Sequence, residues 1–270
     1  MFERRLSLDT IRFLNSRCFV LAFRSAEIAA AARPGQFLML SVADTIDPLL
    51  RRPMAFYEVL GPPGAPTGFS ILVERTGRGT TLLSRLQPGD SVNMLAPLGT
   101  AFDPPAPGTA AVLVMGGVGA APFPLFAESL IARGQSVHAF IGGRTSDHLL
   151  CADDLRDLGA EVTVATDDGS EGHHGLVTEP VRDFLDAHDG SVAVYSCGPT
   201  PMMRAVDTIT VAHGVAHQVS LEAPMACGIG VCLSCVVPTR EPDGSWKYRR
   251  ICREGPVFDT SNLIWEHPDG

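Results

Sequence analysis

Four of the seven cysteines in this 270-residue chain stand within 26 residues of one another: Cys227, Cys232, Cys235 and Cys252, spaced C-x4-C-x2-C-x16-C. Thiolates at that density need a chemical reason, and this spacing is one by which four cysteines hold a [2Fe–2S] cluster. Gly228 and Gly230 lie between the first two. They permit positive φ and carry no side chain, so backbone N–H groups can turn toward cluster sulfurs and offset their negative charge. The alternatives are a structural zinc site and a disulfide pair. Zinc takes four cysteines readily, but usually from two separated short knuckles, whereas here three ligands share one nine-residue, glycine-lined loop. Disulfides need an oxidising compartment.

Two further groups could hold phosphate. Leu50-Arg51-Arg52-Pro53-Met54-Ala55 sets paired guanidiniums before a rigid turn, and Thr76-Gly77-Arg78-Gly79-Thr80 is a glycine loop running into a helix start. Backbone N–H groups at such a start bind phosphate, and arginine adds bidentate hydrogen bonds. Each alone is weak and reads more readily as a turn, but together they point to a diphosphate-bearing cofactor. Later come Gly116-Gly117-Val118-Gly119 and Ser196-Cys197-Gly198-Pro199-Thr200-Pro201-Met202. The first can cradle phosphate, although it lacks the full G-x-G-x-x-G pattern. The second reads either as part of a nucleotide site or as a tight turn with a small buried Cys197. Cys18 and Cys151 read as packed thiols, and His173-His174 as a loop pair without metal spacing.

The elements that must position these residues differ along the chain. Before residue 103, short alternating runs at 17–23, 36–42, 55–60, 69–74 and 91–95, broken by Pro-Gly turns, predict a small antiparallel β-barrel with a helix over 80–86. The stretch 103–108, rich in proline, reads as a linker. After it, strands at 110–115, 137–141, 161–165, 192–196 and 217–221 alternate with helices at 123–133, 147–158, 178–188 and 201–213. That alternation means a doubly wound parallel α/β sheet, with ligands at the carboxyl ends of its strands. Residues 236–237 and 246–251, joined through Pro242-Asp243-Gly244, predict a hairpin that returns Cys252 to the other three cysteines. The expected domains are 1–103, 109–222 and a small cluster domain at 223–270.

Composition fits that plan. Hydrophobic residues make up 45 % of the chain and charged residues 19 %, as in a protein with a sizeable core. The net charge of −9 sits mainly in 104–222, which carries 5 basic and 15 acidic residues. Such a surface argues against nucleic acid. The most apolar stretch, 110–132, is broken by Gly116, Gly117, Gly119, Pro122 and Pro124, so no membrane span is expected. The charged start shows no secretory signal, and a cytoplasmic protein is the expectation.

In this order, the barrel, the doubly wound domain and the cysteine loop resemble the ferredoxin-reductase superfamily of flavoproteins. Within it the chain is similar to the electron-transfer subunits of two-component, NAD-dependent dihydroorotate dehydrogenases. The likeness runs through Pro34-Gly35-Gln36-Phe37, Leu50-Arg51-Arg52-Pro53, Gly77-Arg78-Gly79-Thr80, the 116–122 loop, the 196–202 turn, Met225-Ala226-Cys227-Gly228-Ile229-Gly230 and Gly255-Pro256-Val257-Phe258. It implies FAD on Arg52, Pro53, Met54, Ala55, Leu72, Val73, Glu74, Gly79 and Thr80. It implies NAD(H) on Gly116, Gly117, Gly119, Cys197, Gly198, Pro199 and Met202, and a [2Fe–2S] cluster on Cys227, Cys232, Cys235 and Cys252. Cys197 would pack near the nicotinamide. The family commonly has Ser or Thr where this chain has Ala55, which implies a missing hydroxyl contact worth roughly 1 kcal/mol to the flavin. The implied activity carries electrons from an FMN-containing dihydroorotate dehydrogenase catalytic subunit to NAD in pyrimidine synthesis, in a heterotetramer of two of each subunit. A reductase for another acceptor, or a zinc-stapled flavoprotein or redox sensor, are the alternatives.

Overall fold

The structure, a computed structural model, describes residues 1–43 and 47–266. The chain forms two compact units: Met1–Ala101 with Glu222–Val236 and Arg250–Pro256, and Phe102–Leu221 with Val237–Arg249 and Val257–Gly270. The segment expected as a cluster domain thus contributes to both.

The first unit contains β1 (Phe2–Phe13), β2 (Cys18–Arg24), α1 (Ala26–Ala31), β3 (Phe37–Leu40), β4 (Arg52–Ala55), β5 (Glu58–Leu60), β6 (Gly68–Glu74), α2 (Arg78–Leu83) and β7 (Ser91–Leu98). They form a seven-stranded antiparallel sheet in the order β4-β3-β7-β1-β2-β6-β5. β1 curls it. Its first half pairs with β7 from Phe2↔Ala96 to Ser7↔Ser91, and its second half with β2 from Leu8↔Phe23 to Phe13↔Phe19, with a register break between Leu8 and Thr10. A strand shared in this way bends the sheet at the break. β7 shows the period of two expected of a half-buried strand, with Val92, Met94, Ala96 and Leu98 inward. Phe69 anchors the core, with its ring centroid 5.8 Å from that of Phe23 and 5.3 Å from that of Phe56. Burying such a ring contributes about 1.5–3 kcal/mol. β1 escaped the sequence pattern because Leu8 is its one fully buried residue. With so little to bury, it shows no apolar alternation.

The second unit contains β8 (Ala110–Gly116), α3 (Phe123–Ile131), β9 (Val137–Gly143), α4 (Ala152–Leu158), β10 (Glu161–Thr166), β11 (His173–His174), α5 (Thr178–Ala187), β12 (Val192–Cys197), α6 (Thr200–His213) and β13 (Ala216–Ser220). A two-stranded sheet of β14 (Val236–Arg240) and β15 (Trp246–Arg250), then β16 (Val257–Asp259), complete the strands. The main sheet runs β11-β10-β9-β8-β12-β13-β16, parallel throughout except for the antiparallel edge strand β16. Every residue of β8 is buried, as a parallel strand covered on both faces should be.

The helix expected over 147–158 is interrupted. A 3₁₀ turn at Ser146–His148 is followed by Cys151 at φ +66°, and only then does α4 begin. A left-handed residue cannot continue the i→i−4 ladder, and the Thr145 hydroxyl 3.0 Å from His148 Nδ1 closes the earlier turn by itself. The two-residue β11 and the antiparallel β16 were also absent from the sequence reading, because runs of two and three residues carry no period. Among the described residues no helix is long and apolar enough to cross a membrane.

Candidate cluster and cofactor sites

The cysteine loop is shaped by three left-handed residues: Gly228 at φ +71°, Gly230 at +86° and Leu233 at +58°. Gly228 is packed so tightly on Met39 of β3 that a Cβ there would fall 2.4 Å from Met39 Cγ, so only glycine fits. The loop turns its N–H groups onto Cys227, whose Sγ accepts from Val231 N–H at 3.4 Å. Burial pushes the Cys227 thiol up, but the backbone N–H groups of Ile229, Cys232 and Val231 outweigh it and hold the thiol down at about 6. At the other end the Ile251 N–H donates to the Cys235 carbonyl at 2.8 Å, which closes the β14–β15 hairpin and brings Cys252 beside Cys235. The Cys252 N–H then donates to Cys235 Sγ at 3.4 Å. Burial first, and Cys235 next to it, push the Cys252 thiol up to about 12.

The four thiols therefore fall into two pairs. Cys227 lies beside Cys232, and Cys235 beside Cys252, while Cys227 is also within electrostatic reach of Cys252. Among the described residues no three His, Cys, Asp or Glu side chains converge as a group that could hold one metal ion. A mononuclear zinc site needs all its ligands around one centre. A cluster with two irons needs two thiolates at each, with N–H donors toward the sulfurs. The pairs of thiols and the N–H donors at Cys227 and Cys235 fit the second demand.

The flavin residues expected from sequence come together in part. Gly79 lies against Arg52, so closely that a Cβ would stand 2.7 Å from its Nε. Thr80 Oγ1 accepts from the N–H groups of Thr76 and Gly77 at 3.0 and 3.2 Å, which folds the glycine loop back on the start of α2. Pro53, Met54 and Ala55 continue β4, half-buried, and pair with Met39, Leu38 and Phe37. Leu72 and Val73 are buried in β6, while Glu74 at its end pairs with Arg17 at 2.6 Å.

The residues expected to hold nucleotide come together at the carboxyl ends of β8 and β12. These two strands are neighbours, and the chain leaves β8 toward β9 on one side and returns to β12 on the other, the switch point at which such sheets bind ligands. A Cβ on Gly119 would lie 2.5 Å from the Cys197 carbonyl and 2.6 Å from Gly198 Cα. One on Gly116 would meet Met202 Sδ and Pro199 Cδ at 3.0 Å. Gly117 takes φ +55° and Gly198 +151°. Cys197 itself is buried.

Sequence reasoning missed two groups. Arg250 and Glu254 pair beside Cys252, a signal legible as opposite charges four residues apart. Beneath the 196–202 turn, Ser196 Oγ lies 2.8 Å from the Nε2 of buried His217. An Nδ1-protonated ring lets Ser196 donate to Nε2 while Nδ1 faces Asp207 Oδ1 at 3.6 Å, and Trp265 Nε1 donates to Asp207 Oδ2 at 2.7 Å. No spacing in the sequence announces that network.

Known proteins share both sequence and fold with this chain. Residues 222–264 match the iron–sulfur cluster binding domain of dihydroorotate dehydrogenase B, and residues 113–208 match the oxidoreductase NAD-binding domain. The chain is 38 % identical over 248 residues to a Desulforamulus reducens protein named dihydroorotate dehydrogenase B (NAD(+)), electron transfer subunit, covering 92 % of this chain and 93 % of that one. The protein of the same name from Geobacillus thermodenitrificans is 34 % identical over 97 % of this chain and 98 % of its own. Among solved structures, the NADH-dependent reduced ferredoxin–NADP oxidoreductase, studied for flavin-based electron bifurcation, superposes with a TM-score of 0.82 at 26 % identity, covering 96 % of this chain and 90 % of that one. With these identities over nearly its whole length, the chain belongs to the family of dihydroorotate dehydrogenase B (NAD(+)) electron transfer subunits.

Proposed function

We propose that this chain accepts electrons from an FMN-containing dihydroorotate dehydrogenase catalytic subunit and delivers them to NAD, in the oxidation step of pyrimidine synthesis. The observation that carries this reading is the disposition of the four cysteines as two pairs, with N–H donors aimed at the sulfurs, inside the segment 222–264. Cys227 and Cys232 would ligate one iron, and Cys235 and Cys252 the other. Arg52, Gly79 and Thr80 would hold the FAD diphosphate, with Pro53, Met54, Ala55, Leu72, Val73 and Glu74 around the rest of the cofactor. Gly116, Gly117, Gly119, Cys197, Gly198, Pro199 and Met202 would hold NAD(H). Functionally the chain divides into 1–103 for flavin, 109–222 for nucleotide and 223–270 for the cluster.

When bound, the flavin supplies the conversion between two-electron exchange with nicotinamide and one-electron exchange with an iron–sulfur centre. The chain's own residues bind and orient. No side-chain acid or base is required of them, and the reading includes no dihydroorotate site, so the chain alone is inactive on that substrate. Assembly is a heterotetramer of two of each subunit, in the cytoplasm.

The test is reconstitution. The loaded chain, mixed anaerobically with an FMN-containing catalytic subunit, dihydroorotate and NAD, should form NADH, and neither component alone should do so. Absence of dihydroorotate-dependent NADH from the mixture, with each component holding its cofactors, overturns the reading. A reductase serving another acceptor is the second reading, favoured by the 0.82 TM-score to a ferredoxin–NADP oxidoreductase. Under it the same mixture stays silent while NADH still bleaches the flavin.

A further inference from the structure

Arg250 ends β15 two residues before Cys252, and its side chain spans the cysteine site. Its Nη1 donates to the Gly230 carbonyl at 2.7 Å, and its Nε to Glu254 Oε2 at 3.0 Å. Its Nη2 pairs with Glu254 Oε1. Glu254 Oε2 also accepts the Arg250 backbone N–H at 2.7 Å. The Gly230 contact and the Glu254 contacts join different segments of the site. Gly230 belongs to the loop whose neighbours Ile229, Val231 and Cys232 direct N–H groups at Cys227, while Arg250 and Glu254 bracket Cys252 in a turn closed by Glu254 N–H to Arg250 carbonyl at 2.9 Å. The guanidinium thus ties the loop of the 227–232 pair to the turn of the 235–252 pair. Its charge is within electrostatic reach of Cys252 and Cys235.

We propose that Arg250 and Glu254 form a positioning pair of opposite charge that locks the two halves of the cysteine site together and sets its reduction potential. This rests on the assignment of the four cysteines as cluster ligands. One-electron reduction of a thiolate-bound cluster adds one negative charge, so a nearby cation favours it and a nearby carboxylate opposes it. At present the two largely offset each other. Arg250→Gln removes the cation and leaves the carboxylate, and Glu254→Gln does the reverse, so the two substitutions must move the potential in opposite directions. A merely structural clamp predicts no such opposition.

The experiment is a redox titration of the full-length, iron-loaded chain, followed by electron paramagnetic resonance, with iron and acid-labile sulfide measured on every sample. Arg250→Gln is expected to shift the one-electron equilibrium toward the oxidised form and Glu254→Gln toward the reduced form. Each shift should be about tenfold, equivalent to ~59 mV. Arg250→Lys keeps the charge but cannot make the forked contacts, so it should retain the potential and release iron to a chelator faster. Shifts of the same sign, or none, overturn the proposal. If Arg250→Gln fails to retain iron, the other two decide: an unchanged or lowered potential in Glu254→Gln, or a lowered one in Arg250→Lys, overturns it. Absence of acid-labile sulfide from the unsubstituted chain instead overturns the ligand assignment, and the pair with it.

Discussion

At the scale of single residues, the flavin reading turns on Gly79. It lies inside α2, where alanine would ordinarily stabilise a helix by up to ~1 kcal/mol over glycine. Yet a Cβ there stands 2.7 Å from Arg52 Nε and must displace the guanidinium. The two effects separate in measurement. Gly79→Ala should leave the melting temperature of the flavin-free chain unchanged or higher, while weakening FAD binding about tenfold, ~1.4 kcal/mol, in a fluorescence titration. Undiminished FAD affinity would remove Arg52 from the diphosphate site. The contact itself was not legible in the sequence. The Arg52 turn and the Gly79 loop were each recognisable as phosphate chemistry, but 26 residues of chain separate them, and only the sheet brings them together.

At the scale of elements, the proposed nucleotide site would depend on how closely the loops after β8 and β12 approach. Gly119 faces backbone on its neighbour, the Cys197 carbonyl and Gly198 Cα at 2.5 and 2.6 Å, and backbone cannot step aside. Gly116 faces Pro199 Cδ and Met202 Sδ, both at 3.0 Å, and the unbranched methionine can rotate away. Gly119→Ala should therefore raise the KM for NADH about tenfold or more, and Gly116→Ala only ~threefold, in a diaphorase assay with an artificial acceptor. Equal effects would mean that the loops do not set the nucleotide site by their contact. The same scale explains why the sequence misread the region after β9. The acidic run from Asp147 onward has helical composition, but buried Cys151 in the left-handed conformation splits it.

At the scale of the molecule, one buried network gives the second unit a pH dependence. Burial holds His217 below its ordinary pKa of 6.5, against the opposing pull of Asp207 and Asp259. The folded state thus keeps this ring neutral where the unfolded chain would protonate it. Its contribution to stability is complete above pH 6.5 and is lost as pH falls through the folded pKa. Asp207 acts in the same sense at lower pH. Burial raises its pKa, but His217, Thr260 and Trp265 around it outweigh that and hold the carboxyl below its ordinary 3.8. His213 runs the other way, raised by the Ile209 carbonyl and the Asp186 carboxylate, but it sits at the surface where solvent screens the effect. The melting temperature should fall on acidification below pH 6.5, and His217→Gln should flatten that fall; an unchanged slope would assign the acid sensitivity to other groups.

What the sequence determined by itself was local: glycines where φ must be positive, a cysteine spacing matched to a two-iron centre, and strand and helix runs whose periods reveal one buried face. Those signals span a few residues, so they were enough for the parallel sheet, the hairpin and the candidate ligands. Tertiary structure decided whatever depends on residues far apart in the chain. It placed β1 as the strand that curls the first sheet, although β1 buries almost nothing of its own. It sorted four equivalent-looking cysteines into 227 with 232 and 235 with 252. It set Met39 beneath Gly228, Arg250 across the cysteine loop and His217 beneath the 196–202 turn. Such pairings follow from how a bent backbone closes on itself, and no spacing along the chain encodes the distance between side chains that a fold brings into contact.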